Sequence, residues 1–230
     1  MPGAASLEDL TSRARGLCRP GRRAILGIAG PPGAGKSTLA QRLVDRLGAE
    51  APPGGGARPW VALVPMDGFH LADVQLERLG LREHKGAPET FDALGYVALL
   101  GRLRSETGRT VYAPGFERTL EQPIAAAVAV EPSVRLVVTE GNYLLLADEP
   151  WSGVKAMLDE AWYVDHDAAD RVPRLIARHV QFGKAPDHAR EWVLRLDEAN
   201  TRLVAASATR ADLAISLDWG DQASRSSALA

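Results

Sequence analysis

The sequence predicts an α/β fold, a three-layer sandwich in which helices cover both faces of a five-stranded parallel sheet. Short apolar runs without polar alternation are typical of strands buried on both faces, and helical patterns separate these runs along the chain. The chain has 230 residues, of which 46% are hydrophobic and 24% are charged. This composition excludes a disordered chain, and the length is enough to bury a hydrophobic core without disulfides.

Apolar runs and helical periodicity predict the individual elements. The strands are expected at residues 24–29, 60–65, 134–139, 161–164 and 213–217. The helices are expected at residues 6–17, 37–47, 93–105, 151–160, 168–182 and 187–208. The first helix is expected to begin near Ser6, because Ser6 and Asp9 have the spacing of a capping box.

The chain is expected to form one domain over residues 1–220, followed by a flexible tail at 221–230. Residues 66–133 are longer than a single crossover between parallel strands requires. We therefore expect this segment to contain an insertion that binds the substrate.

Net charge and cysteine content bear on the partners and on the compartment. The formal net charge is −2, so no broad positive field is expected, which argues against nucleic acid or an anionic membrane as the main partner. No apolar run approaches the roughly 18 residues that a membrane span needs. The single cysteine, Cys18, cannot form a disulfide within the chain, which fits a cytoplasmic protein. A homodimer is an assembly that the sequence leaves open.

Residues Gly30 to Ser37 match the phosphate-loop pattern G-x-x-x-x-G-K-[ST], between a predicted buried strand and a predicted helix. Glycines allow successive backbone N–H groups to surround an anion, and the helix N-terminus adds a partial positive charge. Lys36 can reach the β- and γ-phosphates, and the Ser37 hydroxyl is an oxygen ligand of the kind that Mg²⁺ prefers. ATP and Mg²⁺ are therefore the expected cofactors. The expected nucleotide-binding residues of the loop are Gly30, Gly33, Ala34, Gly35, Lys36, Ser37 and Thr38.

A phosphate loop alone does not define the reaction, because GTPases, ATPases and kinases share it. A GTPase would need an Asn-Lys-x-Asp segment, but the two asparagines, Asn142 and Asn200, are followed by Tyr-Leu and Thr-Arg. The Ser-Gly-Gly-Gln signature of transporter-type ATPases is also absent from the sequence. These two classes are therefore disfavoured.

Two acidic residues follow predicted strands. Asp67 comes just after the strand at 60–65, and Glu140 directly follows the strand at 134–139. Ligands bind beyond the carboxyl ends of the strands in an open parallel sheet, so both carboxylates are expected near the γ-phosphate. One of them would take a proton from an acceptor hydroxyl, and the other would hold Mg²⁺. The structural alternatives are a turn-capping aspartate and a strand-end salt bridge.

Arg171, Arg174 and Arg178 share one face of a predicted helix, at positions i, i+3 and i+7. Such a stripe is ordinarily a solvated surface. Here it follows a predicted strand end and precedes a Gly-Lys break, as in a hinged lid that brings arginines onto a transferring phosphoryl group. The sequence therefore favours a lid over residues 168–190.

Three segments carry a family resemblance. They are Met66 to His70, Val111 to Glu117 and Glu140 to Leu145. Together with the phosphate loop they resemble the P-loop kinase superfamily of uridine kinase, type I pantothenate kinase and phosphoribulokinase, over residues 24–218. The strings DGFHL, KGAPETFD and EGNYLLL are similar in combination to a bacterial subgroup of nucleoside/nucleotide kinase-like proteins that includes fructose-transport-associated kinases.

The resemblance implies a P-loop NTPase fold and an ATP-dependent kinase that phosphorylates an alcohol group. It implies that Asp67 is the catalytic base and that Lys36 and Arg174 are also catalytic. Arg171 and Arg178 are the implied nucleotide-binding residues of the lid.

The implied metal ligands are Ser37 and Glu140. The residues expected to bind the substrate are His70, Lys85, Phe116, Glu117, Arg118, Asn142 and Tyr143. Phe116 and Glu117 stand where uridine kinases have Tyr and Asp, so the resemblance does not extend to uridine specificity.

The acceptor stays open between a nucleoside, pantothenate and a sugar or sugar phosphate. The segment between Asp67 and Glu140 holds many cationic side chains, which a polyol, a sugar or a carboxylate would use better than a neutral nucleoside. The alternative to an enzyme is a regulatory protein that binds a nucleotide and does not transfer phosphate. The acidic residues favour the enzyme, because a sensor needs no base at Asp67.

Overall fold

Strands and helices alternate along residues 5–216, the part of the chain that the computed structural model describes. The strands are β1 (Ala24–Ala29), β2 (Val61–Leu63), β3 (Val111–Glu117), β4 (Gln122–Val130), β5 (Leu136–Gly141), β6 (Glu160–Asp165) and β7 (Leu213–Ser216). The helices are α1 (Leu7–Gly16), α2 (Lys36–Ala49), α3 (Asp73–Leu79), α4 (Ala93–Ser105), α5 (Ala168–Gln181), α6 (Pro186–Trp192) and α7 (Glu198–Ala206). Among the helices of this range, none is long and apolar enough to cross a membrane.

Five strands form one parallel sheet in the order β2-β5-β1-β6-β7, which confirms the predicted α/β fold. Every residue of β1 is buried, as a central strand covered on both faces requires. In the β1–β5 pair, Ile28 lies beside Glu140, and β2 pairs with the other edge of β5. The carboxyl ends of these three strands therefore meet at one edge of the sheet.

Helices pack on both faces of the sheet, in two hydrophobic layers. Leu26 and Ile28 of β1 belong to the layer that contains α1 and α2. Ile25 and Ala29 belong to the layer that contains α4 and the buried end of α7. This division follows from the alternating directions of successive side chains in a strand, and it confirms the predicted three-layer sandwich.

An antiparallel hairpin of β3 and β4 forms a second, two-stranded sheet that the sequence analysis did not predict. The β4 sequence QPIAAAVAV has no polar alternation, and Pro114 lacks the N–H donor that a regular ladder needs. The register shifts between Ala113 and Gly115, on either side of this proline. The strands are recognisable only once the two segments are paired.

Two predicted helices differ from the structure. The helix predicted at 151–160 is wrong, because this segment forms successive turns with a short 3-10 helix at Lys155–Met157. Trp151 and Val154 have helical spacing and are buried, but Gly153 between them weakens a helix. The helix predicted at 187–208 is found as α6 and α7, joined by a π-helical turn at Val193–Asp197. The expected tail at 221–230 lies outside the described residues.

The predicted order of the remaining elements agrees with the structure. Ser6 caps α1 as predicted, because its hydroxyl accepts a hydrogen bond from the Asp9 N–H group at 3.1 Å. The Asp9 carboxylate accepts from the Ser6 hydroxyl at 2.6 Å and not from the Ser6 backbone, so the pair forms an N-cap without the reciprocal bond of a capping box. The strand predicted at 60–65 is shorter, since only Val61–Leu63 pair with β5. A short 3-10 helix at Met66–Phe69 follows this strand and turns the chain toward the hairpin.

Candidate active site

The phosphate loop connects β1 to α2, as the motif predicts. Gly33 and Gly35 have φ angles of +79° and +90°, in the left-handed region that favours glycine. A Cβ atom at Gly33 would also lie 2.7 Å from Leu175, so glycine allows the loop to pack directly against α5. Because α2 begins at Lys36, the positive end of the helix lies at the loop.

A cavity of about 380 Å³ lies over the phosphate loop. The loop lines it with Gly33, Gly35, Lys36, Ser37 and Thr38. Strand ends and α5 line it with Asp67, Glu140, Asn142, Arg174 and Arg178. Gly30 and Ala34 belong to the loop without lining this cavity. Most of the residues expected to bind a nucleotide are therefore brought together in one place.

Lys36 is almost completely buried beside this cavity. Its ammonium group donates hydrogen bonds to the Pro31 carbonyl and to Oδ1 of Asn142, both at 2.8 Å. Burial lowers the pKa of Lys36 to about 8, although the negative charges of Glu140 and Asp67 oppose this shift. A lysine ammonium has three donors, so one remains for an anion in the cavity.

Glu140 is buried at the end of β5, close to Ser37. Burial and the neighbouring Asp67 carboxylate raise the pKa of Glu140, while Lys36 and the Ser37 hydroxyl lower it. Mg²⁺ prefers oxygen ligands and usually keeps phosphate oxygens and waters besides one or two protein ligands. Within residues 5–216, no group of three or more His, Cys, Asp or Glu side chains could hold a metal alone. The donors fit a Mg²⁺ ion that binds together with a nucleotide.

Asp67 lies in the 3-10 helix Met66–Phe69, where it lines the cavity over the loop and also a second cavity. This position depends on Gly68, because a Cβ atom there would lie 2.4 Å from the Pro114 carbonyl oxygen. The turn that carries Asp67 therefore packs directly against the β3–β4 hairpin.

The second cavity has a volume of about 210 Å³ and adjoins the first. The two cavities share Pro32, Asp67, Arg118, Asn142 and Arg178 as lining residues. The second cavity is also lined by His70, Lys85 and Phe116, three of the residues that the sequence analysis expects to bind the substrate. A molecule in the second cavity would thus lie next to Asp67 and to the nucleotide side of the site.

His70 packs between two aromatic rings, with ring centroids 3.9 Å from Phe91 and 4.8 Å from Phe116. Its Nδ1 atom lies 2.8 Å from the Asp67 carbonyl oxygen, so Nδ1 carries the proton in this hydrogen bond. Burial lowers the pKa of His70, although the nearby Asp67 charge opposes the shift. A neutral His70 would therefore present an unprotonated Nε2 as a hydrogen-bond acceptor.

Cationic side chains line the second cavity. They are Arg82, Lys85, Arg118, Arg178 and Lys184. Arg82 and Lys85 share one carboxylate, that of Asp73, which Lys85 contacts at 2.7 Å. Arg118 and Arg178 form neither a hydrogen bond nor a salt bridge through their side chains within the described range. Burial and the charge of Arg118 lower the pKa of Arg178, so an anion between the two would be stabilised.

The three arginines of α5 have different surroundings. Arg174 and Arg178 line the cavity over the loop. Arg171 is 1% exposed and lines neither cavity. Its guanidinium group donates to the Pro32 carbonyl at 3.2 Å and pairs with Glu198 of α7. Arg171 therefore supports the phosphate loop from behind.

Glu117 and Tyr143, also expected to bind the substrate, lie outside both cavities. Side chains alternate along β3, so Glu117 points away from the side of Phe116 and instead accepts hydrogen bonds from Thr119. Tyr143 is buried, and its hydroxyl donates to the Gly86 carbonyl. Tyr143 thus supports the wall of the second cavity.

Several lining residues were not identified from the sequence. Phe182 lines the first cavity and Trp192 lines the second, on either side of Gly183. Lys184 lies over the Trp192 ring, 4.6 Å from its centroid. The sequence feature that could have identified Phe182 and Trp192 is the presence of aromatic residues near the predicted glycine break. Pro32 lines both cavities, and apart from its position in the phosphate loop no sequence feature identifies it.

Comparison with protein-family models finds no match. A Schizosaccharomyces pombe protein, C227.14, provisionally named a uridine kinase, is 32% identical over 224 residues, which cover 93% of this chain and 92% of that protein. A pantothenate kinase of Rhodopseudomonas palustris BisB5 is 33% identical over 149 residues, covering 62% of this chain and 45% of that protein. A solved structure from Silicibacter sp. TM1040, provisionally described as a fructose transport system kinase, has a TM-score of 0.81 and 34% identity, covering 92% and 99% of the two chains.

Two of these three similarities span more than nine-tenths of the chain. They agree with the phosphate loop, with the acids at the strand ends and with the parallel sheet. The chain therefore belongs to the P-loop kinase superfamily of uridine kinase and pantothenate kinase.

Proposed function

We propose that this chain transfers the γ-phosphoryl group of ATP to a hydroxyl group of a small metabolite. The observation that carries the proposal is the position of Asp67, on the wall shared by the two cavities. With ATP over the phosphate loop, an acceptor in the second cavity would have its hydroxyl between Asp67 and the γ-phosphate.

The side chains of the site have complementary roles in this reaction. Asp67 orients the acceptor hydroxyl and takes its proton, while the new O–P bond forms and the bond to ADP breaks. Lys36 and the cavity-lining arginines of α5, Arg174 and Arg178, stabilise negative charge on the transferring group. Ser37 and Glu140 are the residues that would hold Mg²⁺, and a bound Mg²⁺ would neutralise charge on the phosphate oxygens.

We further propose that residues 1–220 act as one domain in which segment 66–133 binds the acceptor and segment 168–190 acts as a lid. Support for the first role comes from His70, Lys85 and Phe116, which all line the second cavity. Support for the lid comes from Gly183, whose φ angle of +95° lies in the region that favours glycine and marks the break between α5 and α6.

The lining of the second cavity favours an acceptor with a carboxylate or phosphate group over a neutral nucleoside. Its cations outnumber its acids, which are Asp67, Glu121 and Asp197. Asp197 is already paired with His179 at 3.2 Å, whereas Arg118 and Arg178 have no side-chain partner in the described part of the chain. Among the acceptors that the family suggests, pantothenate and sugar phosphates fit this lining better than nucleosides or neutral sugars.

The test is ADP release with acceptors paired to differ in charge: pantothenate and pantothenol, glycerate and glycerol, ribulose 5-phosphate and ribulose, with uridine as a neutral nucleoside. We expect the anionic member of a pair to be turned over faster. Lys85→Met should reduce this preference, whereas Lys155→Met, which changes a surface lysine paired with Asp212, should not.

Two results would contradict parts of this proposal. Faster turnover of uridine or of the neutral members would show that the cations do not select the acceptor. Tight ATP binding without transfer to any acceptor of a broad panel would favour a nucleotide-binding regulator instead.

A further inference from the structure

Asn142 follows the end of β5 and lines both cavities. Its Oδ1 atom accepts a hydrogen bond from the Lys36 ammonium at 2.8 Å. An ammonium group donates hydrogen bonds and cannot accept them, so the amide oxygen of Asn142 must face Lys36. The contact joins the end of β5 to the first residue of α2.

Lys36 has two hydrogen-bond acceptors in the described part of the chain, the Pro31 carbonyl and Asn142. Pro31 belongs to the phosphate loop itself, so its contact fixes Lys36 only relative to that loop. The contact with Asn142 fixes the ammonium relative to the strand ends that carry the acids. Without it, the contact with Pro31 would be the one hydrogen bond that orients the ammonium in the described part of the chain.

The neutral amide suits this position. Lys36 already lies near the negative charges of Glu140 and Asp67. A further carboxylate in contact with the ammonium would compete with a nucleotide phosphate for the same charge. An amide oxygen orients the ammonium and leaves its charge available.

We propose that Asn142 is a positioning residue that holds the Lys36 ammonium for phosphoryl transfer, and is not a residue that binds the acceptor. Its effect on the reaction rests on the proposed function. The ordering of Lys36 does not, because it is measurable in the absence of any acceptor.

The first test uses the motion of Lys36. The chain contains four lysines, Lys36, Lys85, Lys155 and Lys184, so selective ¹³C labelling at Cε gives few NMR signals, which single substitutions assign. In the wild-type protein we expect a high order parameter for the Lys36 Cε group on the picosecond-to-nanosecond timescale. Asn142→Ala should lower it, and the isosteric Asn142→Asp should restore it. Gln41→Ala, which removes an exposed side-chain amide of α2, should leave it unchanged.

The second test uses kinetics with the best acceptor. Because a hydrogen bond to a charged group is typically worth a factor of about 10 to 100, Asn142→Ala should lower kcat by about that factor. The KM for the acceptor should change less than about twofold. Asn142→Asp keeps the contact but adds a charge, so it should weaken ATP binding while Lys36 stays ordered.

The possible outcomes separate this inference from the proposed function. If Lys36 is equally ordered in Asn142→Ala and in the wild type, the inference is wrong. It is also wrong if Asn142→Ala raises the acceptor KM at unchanged kcat. If Lys36 loses order but no acceptor is ever phosphorylated, the positioning contact stands and the proposed function fails.

Discussion

Three ionisable side chains, Lys36, Asp67 and Glu140, meet at the edge of the sheet next to the phosphate loop. Burial disfavours the charged forms of Lys36 and of Glu140. At Lys36 the negative charges of Glu140 and Asp67 partly offset this effect. At Glu140 the Asp67 carboxylate adds to it and the Lys36 charge opposes it. Such perturbed groups in a cleft are typical of functional sites. An anionic ligand would change the balance, because it would compensate the positive charge of Lys36.

Lys36→Ala should strongly reduce phosphoryl transfer, because it removes the buried positive charge next to the phosphate site. We expect kcat to fall by about 10²–10³-fold, the range seen when one group that stabilises transition-state charge is removed. Steady-state kinetics at saturating ATP measure this effect, and Lys155→Ala is the control. Turnover close to that of the wild type would contradict the assignment of the phosphate loop.

ATP binding should depend on pH through the same residue. Burial lowers the pKa of Lys36 to about 8, so the ammonium is present below this pH and lost above it. We expect ATP affinity to weaken as the pH rises from about 7 to about 9, measured by calorimetry. In Lys36→Met this pH dependence should be much reduced. An equal dependence in both proteins would assign the titration to another group.

At the scale of elements, α5 forms the first part of the proposed lid segment and contacts the phosphate loop. The start of α5 is fixed, because Arg171 is buried, contacts Pro32 and pairs with Glu198. Arg174 and Arg178, about one and two turns further along the helix, line the cavity. One helix thus combines a supporting arginine with arginines that can reach a nucleotide.

Substitution of the two kinds of arginine should separate stability from catalysis. Arg171→Met leaves Glu198 without its partner and should lower the free energy of unfolding by about 3 kcal/mol, the low end for a broken buried pair, because Glu198 is partly exposed. Arg174→Ala should leave stability almost unchanged and lower kcat more than it raises the KM for ATP. Chemical denaturation and steady-state kinetics on both variants measure this. The reverse pattern would contradict the supporting role of Arg171 and the catalytic role of Arg174.

The contact between the Asp67 turn and the β3–β4 hairpin gives a second prediction at this scale. Gly68→Ala would bring a Cβ atom to 2.4 Å from the Pro114 carbonyl, so the turn must move and take Asp67 with it. We expect a large loss of acceptor-dependent turnover with nearly unchanged ATP affinity. Gly101→Ala is the control, since nothing lies within 4 Å of its Cβ position in α4 and alanine favours a helix. Unchanged turnover in Gly68→Ala would show that this contact does not position Asp67.

The elements differ in how well the sequence predicts them. The buried strands and the phosphate loop were predictable because continuous apolar runs and a fixed motif are local signals. The hairpin was not, because β4 is rich in alanine and its strands are defined by pairing across the turn. Arg171 is a second example of a feature that depends on distant parts of the chain. Helical spacing grouped it with Arg174 and Arg178, but the sequence could not show that it forms a salt bridge with Glu198.

At the scale of the whole molecule, the order of the sheet strands explains where the site lies. β5 lies between β1 and β2, so the phosphate loop after β1 and Asp67 after β2 flank Glu140 at the end of β5. The segment between β2 and β5 supplies the β3–β4 hairpin and nine of the sixteen residues that line the second cavity. The chain connectivity thus places the cavity over the phosphate loop and the second cavity on either side of the Asp67 carboxylate.

The most direct test of this arrangement is Asp67→Asn, assayed for both ATP affinity and acceptor-dependent ADP release. Asparagine is nearly isosteric with aspartate but cannot accept the proton, and a general base typically contributes about 10²–10⁴-fold to the rate. We expect turnover with the best acceptor to fall within this range, while the Kd for ATP changes less than about threefold. Weakened ATP binding with unchanged turnover at saturating ATP would make Asp67 a ligand of the nucleotide or its metal, and would contradict its role between the two cavities.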